Sequence, residues 1–262
     1  MLCREYNLQS IHDHNTLCRI LCYPRCDSTC FNRRIEDIER SGIDAVYSFG
    51  KIAISRGVYI VGKGHSSIVA LAHHSLYGVV ALKIRRTDSK RFSLVWEAEM
   101  LSKASATGFV PKVYMATEDV LVREYIDGPT LAEFFMNIKN NREILLKAIE
   151  SLLKASYHMD KIGIDLVEIS RPFNQVVYLC ENPSKPFFID LESAKTSLQP
   201  SNVTKVLGFI INGTINGTKI REIIGIEPDK VGILMNLAKS YKADSIWKKK
   251  NIVDELVKII IG

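Results

Sequence analysis

The sequence places two acids and an amide near the ends of short apolar runs. These residue types are suited to proton transfer or to binding a cation. Glu168 and Asn174 lie in GIDLVEISRPFN, and Asp190 ends the apolar part of FFIDLES. A carboxylate can take a proton from a hydroxyl group, and carboxylate and amide oxygens can bind a divalent cation. Which of these roles applies depends on what the remainder of the chain supplies.

A glycine-containing turn precedes these residues. In VGKGHSSIVA, the residues Gly62, Gly64, Ser67 and Val69 follow one another at short intervals. Glycines let the backbone approach a ligand closely, and N–H groups in such a turn can surround phosphate oxygens. The turn leads into a strand, which argues against a dinucleotide-binding fingerprint and a Walker A loop, because both of those turns lead into a helix.

Lys83 lies in the middle of the apolar run VVALKIRR, and Glu97 lies in the following segment WEAEML. An ammonium group buried among apolar side chains is costly unless an anion meets it. A strand lysine held by a helix glutamate can bind the α and β phosphates of ATP. Two alternatives stay open: Lys83 reaches solvent from an edge strand, or Glu99 takes the place of Glu97.

The order of secondary-structure patterns indicates how these residues are carried. β-branched and aromatic runs between Ala45 and Lys83 predict an antiparallel sheet, and FSLVWEAEMLSKA predicts a helix before two more short strands. After Asp127-Gly128 the pattern is helical, with a hairpin in NQVVYL and PFFIDL and helices from Asn202 onward. Ligands commonly bind in a cleft between two such halves.

Residues 1–56 are predicted to form a small extension that caps the strand-rich half, with an irregular, Cys-rich start followed by a helix in FNRRIEDIERSGI that ends at Gly42. Four cysteines of this extension are spaced by four residues: Cys18, Cys22, Cys26 and Cys30. On one helix they would form a stripe for a metal ion, but Pro24 interrupts that helix and the spacing is not that of paired zinc ligands. We expect buried or free thiols, with structural zinc as the alternative, since disulfides are unusual in cytosolic proteins outside hyperthermophiles.

The composition is that of an ordinary globular protein. Its 262 residues are 47% hydrophobic, enough to bury a core, and they contain no apolar run long enough for a membrane span. We therefore expect a cytoplasmic protein without membrane contact. The formal net charge of +6 attracts phosphate-bearing partners in general. We interpret the basic runs at 83–91 and 248–250 as solvated faces, because no aromatic residues alternate with them to stack bases.

Five segments follow one another in the order of the protein-kinase motifs. GKGHSSIV, VALKI, WEAEML, VREYIDGPTL and IDLES resemble the glycine-rich loop, strand lysine, helix glutamate, hinge and metal-binding aspartate. The chain is most similar to the atypical RIO-like kinases and their archaeal relatives, over about residues 57–215. Its EIS at Glu168 with Asn174 resembles their catalytic loop. No Ala-Pro-Glu triplet and no long activation segment follow Asp190.

The resemblance implies an α+β, bilobal, protein-kinase-like fold. Residues 57–127 would form the N-lobe, an antiparallel sheet with a helix, and residues 128–262 a mainly helical C-lobe without the activation segment and later subdomains. The implied cofactors are ATP and Mg²⁺. The residues that would bind the nucleotide are Gly62, Gly64, Ser67, Val69, Lys83, Glu97, Glu124 and Ile126, the last two at the hinge that holds adenine through backbone groups. Asp190 and Asn174 would bind Mg²⁺, and Glu168 would stand at the position of the catalytic aspartate.

The catalytic loop departs from the family pattern in two ways. The expected HRD or HGD triplet is replaced by Leu166-Val167-Glu168, and the step from acid to amide is one residue longer than in the family. Either the loop bulges or Phe173 occupies the amide position, and Asp165 competes with Glu168 as a base. Because phosphoryl transfer depends mainly on positioning and charge neutralisation, a poorly placed base would slow the reaction more than abolish it.

Three functions are compatible with the sequence. The first is an ATP- and Mg²⁺-dependent phosphotransferase, an atypical serine/threonine protein kinase that acts on a protein or another hydroxyl. The second is a nucleotide-binding scaffold or slow ATPase that docks to a protein or ribonucleoprotein partner. The third is a basic RNA-binding protein with a zinc-stabilised N-terminus.

Overall fold

The computed structural model describes residues 2–138, 141–215, 217–244 and 246–262. The chain divides into two units, residues 1–102 with 111–126 and residues 103–110 with 127–262. Strands predominate in the first unit and helices in the second, so the α+β class expected from the sequence is confirmed. Every helix within the described residues is too short or too polar to span a bilayer.

An antiparallel sheet forms the centre of the first unit. The strands of this unit are β1 (Gln9–Ser10), β2 (Ile43–Ser48), β3 (Ile52–Ser55), β4 (Val58–Ile60), β5 (Gly62–Lys63), β6 (Ser67–His74), β7 (Gly78–Arg85), β8 (Val113–Ala116) and β9 (Val120–Glu124). The sheet order is β1-β2-β6-β7-β9-β8, with β5 paired to β6 and with β3 and β4 in a separate hairpin. Since β7 lies between β6 and β9, residues at its centre have neighbours on both sides.

One face of the sheet packs against two helices, α1 (His14–Leu21) and α2 (Ser28–Arg40). Ile20 of α1 and Ile38 of α2 are buried with Leu82 and Ile84 of β7 in one apolar cluster. Burying a side chain of this size contributes about 1.5–3 kcal/mol. Because side chains alternate along a strand, Lys83 lies on the opposite face of β7 from this cluster.

The two helices begin and end at residues suited to those positions. Asp13 caps α1 by accepting a hydrogen bond from the Thr16 N–H at 2.8 Å. The Cys-rich start was expected to be irregular, and α1 corrects that expectation. α2 ends at Arg40, and Gly42 follows with a left-handed φ of 77°. The predicted end of this helix at glycine is therefore confirmed.

The four evenly spaced cysteines are joined in two disulfides, Cys18–Cys26 and Cys22–Cys30. Pro24 lies in the connection between α1 and α2, so the prediction that it interrupts a continuous helix is confirmed. The expectation of free thiols is wrong, and so is the alternative of a zinc site, because these sulfur atoms are bonded to one another. Each disulfide closes a short loop and restricts the unfolded chain.

A buried carboxylate ties α2 to the strands. Asp119, in the turn between β8 and β9, accepts hydrogen bonds from Arg34 of α2 at 3.1 Å and from Arg85 of β7 at 2.7 Å. Arg33 is a further ion-pair partner of the same carboxylate. Burial acts to raise the pKa of Asp119, but the neighbouring guanidinium groups outweigh it and lower the pKa below its ordinary value.

The second unit is built around a long helix, α5 (Arg142–Lys161), which follows α3 (Val95–Ala104) of the first unit and α4 (Leu131–Ile138). Its predicted core face is confirmed, since Leu145, Ile149, Leu152 and Ser156 are all buried. The other elements are β10 (Ile164–Asp165), β11 (Val176–Tyr178), β12 (Pro186–Phe188), β13 (Lys195–Thr196), α6 (Asn202–Asn212), β14 (Thr214–Ile215), β15 (Thr218–Lys219), α7 (Ile220–Ile223), α8 (Pro228–Ala243) and α9 (Ile246–Ile261).

The start of the second unit requires a glycine. The Cys180 N–H donates to the Asp127 carbonyl at 2.8 Å, which draws the two chain segments together. A Cβ atom added at Gly128 would lie 2.1 Å from the Tyr178 carbonyl oxygen, far closer than atoms can approach. The Asp-Gly pair that the sequence marks as a change of pattern is therefore also a point of close backbone contact.

We predict that Gly128→Ala destabilises the protein by about 3 kcal/mol, because either the β11 end or the 127–129 segment has to move. The matched control is Gly208→Ala in α6, where an added Cβ meets no described heavy atom within 4 Å. That control should be neutral or stabilising, since alanine favours a helix over glycine. Urea denaturation of both variants measures the difference, and equal unfolding midpoints would contradict the close contact.

Candidate functional site

Lys83 and Glu97 form a buried ion pair. Lys83 is at the centre of β7, Glu97 is in the first turn of α3, and their Nζ and Oε2 atoms are 2.6 Å apart. The side chains are only 4% and 1% exposed. Lys83 pairs with Val69 and Leu121 of the neighbouring strands, so it does not reach solvent from an edge strand. The alternative partner Glu99 is exposed.

Such a pair is expensive to bury. Removing each charge from water costs several kcal/mol even after relaxation, and attraction between the charges offsets this only when the geometry is good. Replacing such a pair by apolar side chains of similar volume is often neutral or stabilising. The presence of a buried Lys83–Glu97 pair is therefore weak evidence for a contribution to stability.

The glycine-rich segment is a tight hairpin between β5 and β6, which we call the glycine hairpin (residues 62–67). Gly62 pairs with Val69, and the Gly64 N–H donates to the Ser67 carbonyl at 2.8 Å. Neither glycine has a positive φ. A Cβ added at Gly62 would lie 3.4 Å from Val69 and one at Gly64 would lie 3.5 Å from the Ser67 carbonyl oxygen, which are ordinary contact distances, so the two glycines differ from other residues here only in lacking a side chain. Val69 is the direct cross-strand neighbour of Lys83, which places the two side chains on one face.

The predicted hinge lies at the end of β9. Glu124 is the last residue of that strand, and its N–H donates to the Lys112 carbonyl at 2.8 Å. The Glu124 carboxylate accepts in return from the Lys112 N–H at 3.2 Å. Ile126 is 5% exposed and packs in the interior. These contacts fix the backbone of the segment that the resemblance assigns to adenine.

In the second unit, a buried asparagine holds the start of the predicted catalytic loop. Asn202, the first residue of α6, accepts from the Leu166 N–H at 2.7 Å and donates to the Ile164 carbonyl at 2.6 Å. Asp160 of α5 in turn accepts from the Asn202 side chain at 2.7 Å and from the Tyr241 hydroxyl, also at 2.7 Å. Three helices thus position one loop.

Burial raises the pKa of the Asp160 carboxyl above its ordinary value, and the hydrogen bonds from Asn202 and Tyr241 oppose that shift without cancelling it. The pKa of Tyr241 is also raised, by burial and by the adjacent Asp160. The Nζ of Lys249 lies 4.8 Å from the centre of the Tyr241 ring. Sequence reasoning missed this network, because its members come from α5, α6, α8 and α9 and share no local spacing.

Asp165 is occupied by structural contacts. Its Oδ1 accepts from the Lys205 ammonium at 2.8 Å and from the Ser201 N–H at 3.2 Å. The same Lys205 also donates to the Leu166 carbonyl at 3.1 Å. Asp165 therefore holds α6 against the loop, which makes it a poorer candidate for a base than its position in the sequence indicates.

Glu168 and Asp190 line one small pocket of the second unit. The lining residues are Leu166, Val167, Glu168, Ile169, Gln175, Phe188, Asp190, Ser193 and Ala194. Both carboxylates are exposed to solvent. The Gln175 side-chain amide donates to Glu168 Oε2 at 2.7 Å, and the Glu192 N–H donates to Asp190 Oδ1 at 3.2 Å. Two acids and one amide therefore line the same pocket.

The amide in this pocket is that of Gln175 and not that of Asn174. Asn174 ends a 3₁₀ turn, Pro172–Asn174, is exposed, and is absent from the described residues that line the pocket. This turn lengthens the loop, as expected if the loop bulges. The ring of Phe173 packs edge-on against Phe209 with centroids 5.1 Å apart. The sequence signal for Gln175 was its position directly before the β11 strand.

Comparison with known proteins adds little beyond this geometry. No family model matches the chain. The chain is 29% identical over 119 residues to uncharacterized protein MJ1211 of Methanocaldococcus jannaschii, and the aligned part covers 45% of this chain and 97% of that protein. The name of that relative assigns no activity, so the function has to be argued from the residues themselves.

We predict strong energetic coupling between Lys83 and Glu97. Glu97→Gln should destabilise the protein by about 3 kcal/mol, because it leaves a buried ammonium group without its carboxylate. The double variant Lys83→Met/Glu97→Leu should recover most of that loss, since two apolar side chains satisfy one another. Urea denaturation of the wild type, Lys83→Met, Glu97→Leu and the double variant gives the coupling energy, and Glu97→Gln measures the loss of the negative charge alone.

The control for this cycle is the exposed pair Arg40–Glu36, one helical turn apart on α2 with side chains 72% and 62% exposed. Its coupling energy should be below about 0.5 kcal/mol, as for other surface pairs. Equal coupling energies for the two pairs would show that Lys83 and Glu97 are not held in a low-dielectric environment.

Proposed function

We propose that this protein is an ATP- and Mg²⁺-dependent phosphotransferase of the RIO-like type, with a bilobal, protein-kinase-like fold. The observation that carries the proposal is the buried pair of Lys83 and Glu97. A protein gains little stability from burying two charges, whereas a phosphate-binding ammonium needs a fixed position and a counter-charge. The proposed phosphate acceptor is a protein serine or threonine, or another hydroxyl group, in the cytoplasm.

In this proposal Lys83 binds phosphate oxygens of ATP. Glu97 fixes the direction of the ammonium group, which is otherwise a flexible point charge on a four-carbon stem. At Gly62, which pairs with Val69, and at Gly64 the glycine hairpin has no side chain, so that phosphates can approach the backbone closely there. Backbone groups of residues 124–126 hold the adenine.

The residues of the second-unit pocket fit a magnesium site. Mg²⁺ prefers oxygen ligands, keeps several water molecules, and is usually held by one or two carboxylates together with substrate phosphates. Asp190 supplies such a carboxylate from a segment ordered by its bond from the Glu192 N–H. When bound, the ion would neutralise the phosphate charge. The geometry favours Gln175 over Asn174 as the accompanying amide.

Glu168 is the proposed acceptor of the hydroxyl proton. It is exposed and lines the same pocket as Asp190, whereas the Asp165 carboxylate is bound to Lys205 and Ser201. The Gln175 amide orients Glu168 through a bond to one of its oxygens. In this proposal the second oxygen of Glu168 faces the acceptor hydroxyl and takes its proton.

A second candidate function is a nucleotide-binding scaffold or slow ATPase that docks to a protein or ribonucleoprotein partner. The observation in its favour is the 2.7 Å bond from Gln175 to Glu168, because a carboxylate oxygen that already accepts this bond is less available to take a proton from a substrate hydroxyl. The Leu166-Val167-Glu168 sequence in place of the family triplet points in the same direction.

We predict that the wild-type protein transfers the γ-phosphate of radiolabelled ATP to itself or to casein when Mg²⁺ is present. Asp190→Ala should reduce the transfer rate on the order of a hundredfold, because it removes charge stabilisation of the transferred phosphate. The matched control is Asp229→Ala, an exposed acid at the start of α8, which should retain full activity. Equal labelling of the wild type and Asp190→Ala would contradict the proposal.

The second candidate predicts a different set of results. It requires thermal stabilisation by MgATP in the wild type, because a ligand that binds only the folded state raises stability by mass action. It also requires slow release of ADP with no phosphorylated protein in the mass spectrum. If MgATP neither stabilises the wild type nor is consumed by it, both candidates are wrong.

A further inference from the structure

The connection between α1 and α2 is packed against the glycine hairpin within the first unit. The ring of Tyr23, in that connection, has the Lys63 ammonium 5.0 Å and the Arg86 guanidinium 5.2 Å from its centre. Lys63 belongs to β5, the first strand of the hairpin, and Arg86 directly follows β7. Both distances are within the range of cation–π attraction.

Arg86 makes three further contacts that fix its position. Its Nη1 donates to the Gly64 carbonyl at 2.9 Å, at the tip of the hairpin. Its Nε and Nη2 donate to the two oxygens of Asp88 at 2.8 and 2.7 Å, an aligned two-pronged contact. The backbone N–H of Arg86 donates to the Ser66 carbonyl at 2.8 Å. Asp88 thus holds the guanidinium group in the direction that reaches Gly64.

The Tyr23 side of this contact is also restrained. The Tyr23 carbonyl accepts a hydrogen bond from the Thr87 N–H at 2.8 Å. The two disulfides, Cys18–Cys26 and Cys22–Cys30, cross-link the chain on both sides of Tyr23. The ring therefore lies in a segment with little freedom, which is attached both to the hairpin and to the residues that follow β7.

We infer that Tyr23 and Arg86 are positioning residues, which hold the glycine hairpin in its nucleotide-binding conformation before the nucleotide arrives. The inference rests on the proposed function for its nucleotide and goes beyond it by assigning a role to the N-terminal extension. A glycine-containing hairpin loses much conformational freedom when it is ordered. If the contacts with Tyr23 and Arg86 order it in advance, ATP binding no longer carries that cost.

For Tyr23 and Arg86 the sequence predicts a different environment from the one in the structure. Arg86 belongs to a basic run that was interpreted as a solvated face, yet its side chain is only 17% exposed. Tyr23 was part of a segment expected to be irregular. The contact joins chain positions far apart in sequence, so no local pattern could indicate it.

Hydrogen exchange without nucleotide tests whether the contacts of Tyr23 and Arg86 order the glycine hairpin, an arrangement we call the clamp. The variants are Arg86→Ala and Tyr23→Leu. Tyr23→Phe is the conservative change, and Arg40→Ala, at an exposed position of α2, is the matched control. In Arg86→Ala the Gly64 amide should exchange about tenfold faster, the loss expected for one bond to a charged group, and in Tyr23→Leu about threefold faster, the loss expected for a cation–π contact. The Leu82 amide in β7 should be unchanged, as should all amides in Tyr23→Phe and Arg40→Ala.

Nucleotide titration of the same variants tests the positioning role. The Kd for MgATP should rise about tenfold in Arg86→Ala and about threefold in Tyr23→Leu, and it should stay at the wild-type value in Tyr23→Phe and Arg40→Ala. Unchanged Gly64 exchange, or faster exchange at Leu82 as well, would overturn the clamp. Faster exchange at Gly64 with an unchanged Kd would overturn the positioning role. If the wild type binds no MgATP while the Gly64 amide still exchanges faster in the variants, the proposed function fails and the structural clamp stands.

Discussion

The arrangement of the first unit depends on one buried ion pair. Lys83 lies at the centre of β7, between the paired strands β6 and β9. Its buried ammonium group needs a carboxylate within reach. The other face of β7 is filled by the apolar cluster with α1 and α2. The partner must therefore come from the lysine face, and Glu97 of α3 supplies it at 2.6 Å. Because an apolar pair is often at least as stable, the ammonium group itself is the feature to explain.

The acids of the second unit differ in their burial and in their hydrogen-bond partners. Asp160 and Asp165 are buried, and they accept hydrogen bonds from donors in α6, from Ser201 just before it and from Tyr241 of α8. Their role is to hold the loop that follows β10. Glu168 and Asp190 are exposed and share a pocket in which Gln175 contacts Glu168. Burial and bonding thus separate structural acids from candidate chemical ones, which a sequence pattern alone does not do.

The parts of the fold that were predictable have a local cause. The strands from β2 to β9 and the core face of α5 follow from side-chain periodicity, and the end of α2 follows from Gly42. The pairing of Lys83 with Glu97 was predictable because an isolated buried charge is so costly. The remaining features arise from contacts between distant segments. The Asn202 network and the contact of Tyr23 with Arg86 join residues whose spacing carries no signal. The even spacing of the four cysteines does not reveal which of them pair, and the position of Gln175 before β11 does not reveal which carboxylate its amide meets.

We propose that Lys83 is buried with Glu97 in order to bind a phosphate group. The most direct measurement is calorimetric titration of MgATP into the wild type and into the Lys83→Met/Glu97→Leu variant, whose fold is first verified by circular dichroism and urea denaturation. The claim predicts saturable binding to the wild type and at least a hundredfold weaker binding to the folded variant, which lacks the charge that meets the phosphates. Equal affinity of the two proteins for MgATP would contradict it.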